Sequence, residues 1–174
     1  MLDVLLEPYT HTLDVRLTTR SCFQYVIRTQ LPTFSNRLCV LRLSNAYTFT
    51  QIGDMLSCFD WSQIKQLESL TLDSIKPDEL SRYLLSIHPL LTNLWRLSLT
   101  LDGEDQQTRT LLVDHLLLAP SAPMKNCFIH GINFDFPKNT ARNINENLRE
   151  LTVTLASVDD YAILCQTAPR LEIL

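Results

Sequence analysis

Cys127 and His130 form a lone C-x-x-H, the spacing of one half of a zinc site. A structural zinc ion is held tetrahedrally by two such pairs, and no second pair sits nearby in sequence. A core cysteine beside a surface histidine is therefore expected. Asp114 and His115 are the makings of a catalytic dyad, but no Ser or Cys elbow motif accompanies them. Asp159-Asp160 and Glu104-Asp105 set carboxylates side by side, as acid–base chemistry would need. Both pairs stand where helices should begin, and the helix dipole favours acids there without any further role. The three glycines make no G-x-G-x-x-G or Walker pattern, so no phosphate cradle is expected. No catalytic residue, metal ligand or cofactor is assigned, and the chain is not read as an enzyme.

The elements that would position these residues follow from a repeated phrase, L-x-x-L-x-L, which recurs every 23–30 residues. It begins at Leu38, Leu67, Leu94, Met124, Leu148 and Leu171. A weaker copy upstream has Val15 and Leu17 at its last two positions. Those last two positions are two residues apart, so they face the same side of an extended chain. Leu41 and Leu43, Leu70 and Leu72, Leu97 and Leu99, and Leu151 and Val153 should face inward. Arg42, Thr71, Ser98 and Thr152, which lie between them, should face out.

Helices are expected between the strands. Pro77, Asp78 and Glu79 suit a first helical turn, with Leu80, Leu84, Leu85 and Ile87 as an apolar face. Residues 105–118 form a second candidate, and Ser157 caps a third. Residues 50–59 and 21–29 are shorter candidates. Residues 132–147, with Pro137 and several asparagines, read as loop. Strand and helix alternating in one register predict an α/β arc of six to seven irregular repeats. Its parallel strands would line the concave side, with helices outside.

The 174 residues are read as one repeat domain, without an internal boundary. The last phrase ends at Leu174 without a polar cap, so a chain cut short at that end is expected. The formal net charge of −4 is spread along the chain, which argues against nucleic acid as a partner. No apolar run approaches the roughly 20 residues of a membrane span. Five widely spaced cysteines, the lack of an Asn-x-Ser/Thr acceptor and an acidic start predict reduced thiols in the cytoplasm or nucleus.

These phrases resemble the leucine-rich repeat family over roughly residues 12–174. The family's usual Asn or Cys at the ninth position is replaced here by Ala46, Ile75, Asp102, Ile132 and Ala156, with Asn45 and Ser74 one residue earlier. Irregular repeats of this kind look like those of F-box proteins. There the repeats hold a substrate, and a preceding F-box docks on a ubiquitin-ligase adaptor. No F-box is found before the first phrase, so the adaptor is an expected partner only through a segment outside this chain.

The resemblance implies a protein-binding module whose partner lies on the outward strand positions. Trp61, after Phe59, should pack between repeats. Arg42, Trp95, Arg96, Phe128 and His130 are the candidate contacts, because arginine and exposed aromatic residues dominate interface energetics. The competing readings are a structural scaffold or repeat remnant and, well behind, an enzyme.

Overall fold

Apolar residues at a two-residue spacing turn each phrase into a strand with one apolar face. The computed structural model describes residues 12–87, 92–103, 105–112, 123–134, 136 and 145–172. Its strands are β1 (Thr12–Asp14), β2 (Val40–Ser44), β3 (Ser69–Ile75), β4 (Arg96–Leu101), β5 (Asn126–Phe134) and β6 (Glu150–Leu155). They form one open sheet in sequential order, with every neighbouring pair parallel. Leu13, Leu41, Leu70, Leu97, Cys127 and Leu151 stand opposite one another across it, and all are fully buried. The expected column is therefore present, with Leu13 added to it.

A backbone step recurs from strand to strand. The Cys39 carbonyl accepts the N–H groups of both Glu68 and Ser69, and the Glu68 carbonyl those of Trp95 and Arg96. The Trp95 and Lys125 carbonyls repeat the pattern. Glu172 begins it once more, donating to Arg149 at 2.7 Å.

Two expectations are corrected. The first concerns β1, where the inward pair is Leu13 and Val15, not Val15 and Leu17. Val15 is fully buried, whereas Leu17 is 77% exposed at the tip of a turn closed by Thr18 N–H on the Val15 carbonyl. The frame moves by two residues, and Asp14 stands opposite Arg42. The second concerns residues 132–147. β5 runs on to Phe134, because a bulge at His130-Gly131 turns both outward and then returns Ile132 and Phe134 to the core.

The helices are α1 (Arg20–Tyr25), α2 (Leu31–Phe34), α3 (Gln51–Cys58), α4 (Pro77–Ile87), α5 (Gln106–Leu112) and α6 (Val158–Thr167). A π-helical turn, Val26–Gln30, joins α1 to α2. Pro32 follows it and has no N–H for the carbonyl four residues back, so the ladder must change register there. Thr19 and Ser157 cap α1 and α6 through their side-chain oxygens. α3 packs on α4 and α4 on α5, and the helices share one core with the buried sheet face, Ile52, Met55, Leu80 and Leu164 among its residues. Trp61 lies in that core, edge-on to Phe59 with centroids 6.1 Å apart. No helix among the described residues is long and apolar enough to cross a membrane.

Candidate functional site

The other face of the sheet carries the residues between the buried leucines. Arg42, Thr71, Ser98, Phe128 and Thr152 form one row across β2 to β6. Arg42 is exposed, and the other four are half-buried. Val40, Ser69, Arg96, Asn126 and Glu150 form the row beside it.

The structure joins one pair of the candidate residues. Arg96 reaches diagonally from β4 to β5, and its guanidinium carbon lies 5.1 Å from the centroid of the Phe128 ring. Guanidinium groups stack favourably on aromatic faces. Arg96 makes no ion pair among the described residues. Ser69, Thr71, Ser98, Thr100, Thr152 and Thr154 surround this pair on the same face, and none of these hydroxyls makes a side-chain hydrogen bond among the described residues.

The other candidates are set apart. Arg42 stands three strands from Phe128, roughly 14 Å at ordinary strand spacing. Its guanidinium is 3.5 Å from the Asp14 carboxylate, which also takes Arg16 at 2.7 Å. Partial burial would raise the Asp14 pKa, but the bonds from Arg16 and Arg42 outweigh it and hold the group below its ordinary value. Arg42 thus shares one carboxylate with Arg16. Trp95 is half-buried just before β4, its Nε1–H donating to the Glu68 carboxylate at 3.3 Å. His130 is exposed on β5 opposite Thr100, at the bulge.

The residues first considered for chemistry are dispersed or engaged. Cys127 is fully buried, and desolvation pushes its thiol up to about 12, while His130 faces solvent. The C-x-x-H therefore points to both sides of the sheet. Asp105 accepts the Thr108 N–H at 2.8 Å and its hydroxyl at 3.0 Å, which is a helix cap. Asp160 is buried and accepts the Phe136 N–H at 2.7 Å, tying α6 to the segment after β5. Asp114, His115 and Glu104 lie outside the described residues.

A cavity of about 580 Å³ opens between α1, the π-helical turn and α3, with Phe23, Ile27 and Phe59 on its walls. Of its charged groups, Arg20 lies 3.9 Å from Asp54. Asp60 accepts from Ser62 and Gln63, and these bonds lower its pKa, which makes it a weaker base.

Three features gave little sign in the sequence. Gln51 is fully buried and bonds the backbone of Ser44, at the end of β2, and of Val15, just after β1. Asn45 accepts the Ile52 N–H at 3.0 Å and donates to Glu79 at 3.1 Å, so it binds the turn one residue ahead of the family position. Tyr47 and Phe49 are exposed aromatic residues on a loop rather than a strand.

No protein-family model matches the chain, and neither does any curated protein or solved structure.

Proposed function

We propose that this chain is a protein-interaction module of the leucine-rich repeat type, working inside the cell. Its strands line the concave side of an arc, its helices lie outside, and the strand face holds a protein partner. The carrying observation is Arg96 lying over Phe128 without a carboxylate partner among the described residues, beside hydroxyls that make no side-chain hydrogen bond among them. Interfaces draw their energy from a few arginine and aromatic side chains surrounded by polar contacts. The recurring backbone step from Cys39 to Glu172 supports the repeat reading. The narrower version, the substrate-holding part of a ubiquitin-ligase receptor, rests on the resemblance of the phrases alone.

The test is partner affinity beside thermal stability. A partner is captured by crosslinking and then titrated against Arg96→Ala, Phe128→Ala and, as a control on an exposed position of α5, Gln107→Ala. The two face variants should each weaken binding by about 2 kcal/mol, roughly thirtyfold, with little change in melting temperature. Loss of binding in Gln107→Ala but not in the face variants would move the interface to the helices. A parent chain that captures no cellular protein would favour a structural scaffold.

A further inference from the structure

The loops at the carboxyl ends of β1 and β2 hold apolar side chains out into solvent, next to a lysine at the end of β3. Leu17 is 77% exposed at the tip of the turn after β1, and Tyr47 and Phe49 are 75% and 70% exposed in the loop after β2. Single exposed apolar residues are ordinary, but a cluster is not. These are brought to one rim by Thr48, which lies between the two aromatic residues and whose hydroxyl donates to the Thr18 carbonyl at 2.6 Å. Lys76, the first residue after β3, places its ammonium 5.2 Å from the centroid of the Phe49 ring.

The loop is braced from below. Gln51 is fully buried, its amide bonded to Ser44 N–H and the Val15 carbonyl, both at 2.9 Å. Asn45 bonds the first turn of α3 on one side and Glu79 on the other. Thr50 is held at φ 69°, a left-handed conformation unusual for a β-branched residue. Held strain of this kind concentrates where structure serves function. A loop whose backbone is already braced loses less entropy when something docks on it.

We infer that this rim is a second docking surface, for a short segment of another protein carrying two or three large apolar side chains and one acidic side chain. The apolar groups would cover Leu17, Tyr47 and Phe49. The acid would complement Lys76, which is exposed and makes no ion pair among the described residues. Of the acids near the loop, Asp73 accepts from Ser44, Glu79 accepts from Asn45 and Asp54 lies 3.9 Å from Arg20, and all keep their charge. They would repel the many anionic head groups of a membrane, whereas a single carboxylate can sit over Lys76. This surface is independent of the sheet face proposed above.

The test uses the whole chain and bead-displayed 12-residue peptides with three large apolar residues and one Glu, Gln or Lys. The Glu peptides should be retained at least tenfold over the Lys peptides. Tyr47→Ser and Phe49→Ser should each lower retention at least tenfold while thermal unfolding is unchanged. Lys76→Glu should reverse the charge preference, and Lys76→Gln should abolish it. Arg96→Ala should have no effect, which separates this surface from the sheet face. The inference is overturned if no peptide family is retained, if retention ignores charge, or if it survives Phe49→Ser. It is also overturned if phosphatidylcholine–phosphatidylserine vesicles or a second copy of the chain, not peptides, occupy the rim in a Phe49-dependent way.

Discussion

The side-chain amide of Gln51 accepts the backbone N–H of Ser44 and donates to the backbone carbonyl of Val15, each at 2.9 Å. One buried side chain thereby satisfies polar groups at the ends of two neighbouring strands, where the ladder has run out.

Gln51→Leu fills similar space without either bond. It should leave a buried donor and a buried acceptor unpaired, at about 1–3 kcal/mol each. Chemical denaturation should show a lower midpoint with an unchanged slope. A loss below about half a kcal/mol would mean that water replaces the amide.

Gly131 follows from the bulge in β5. Its φ is +85°, and a β-carbon there would sit 2.2 Å from the Leu101 carbonyl oxygen. Gly103 has φ +112° with open space around it. Gly103→Ala should cost about 1 kcal/mol from conformation alone. Gly131→Ala must also push β4 from β5 and should lose on the order of 3 kcal/mol or more. Equal losses at the two sites would remove the close approach as the cause.

What could be read in the sequence was what depends on a local period. Leu41, Leu70, Leu97, Cys127 and Leu151 share a column because a two-residue alternation fixes the face of each strand, and equally spaced apolar phrases fix the register between strands. Helix starts at Pro77 and Ser157 were legible for the same reason, since capping is local. Leu17 misled because it repeats the spacing of an inward residue while sitting on a turn. Phe134 was hidden by the bulge, which breaks the alternation at a glycine whose role depends on Leu101 of the next strand.

The candidate site was legible only as a set of outward positions. That Arg96 rests on Phe128 depends on a diagonal across two strands, and that Arg42 has a carboxylate beside it depends on how β1 pairs with β2, which sets Asp14 opposite Arg42. Gln51 reads in sequence as an ordinary solvent-facing residue at a helix start. Its burial is a property of the turn above it.

The central column makes a sharp contrast at neighbouring residues. Leu97 is fully buried between Leu70 and Cys127, while Ser98 is half-buried on the opposite face with no side-chain bond among the described residues. Leu97→Ala should cost on the order of 2–5 kcal/mol through the cavity it leaves. Ser98→Ala should change stability by about half a kcal/mol at most. Similar losses, measured by denaturant titration, would invalidate the two-faced sheet.

The cysteines report the same geometry without any substitution. Thiolate is the reactive form, so accessibility and pKa set the alkylation rate together. Cys58 and Cys165 are exposed, Cys39 is intermediate, and Cys22 and Cys127 are buried. Burial, with the Glu68 charge behind it, raises the Cys39 pKa, and full burial takes Cys127 to about 12. Iodoacetamide at neutral pH should therefore label Cys58 and Cys165 first and Cys39 more slowly. Cys127 should be labelled only on unfolding, because both its access and its ionisation wait for the sheet to open. Mass spectrometry of the native chain over time gives the order. If Cys127 is alkylated at the rate of Cys58, it does not lie in a closed column between Leu97 and Leu151, and the packing that positions Arg96 and Phe128 on the far face fails with it.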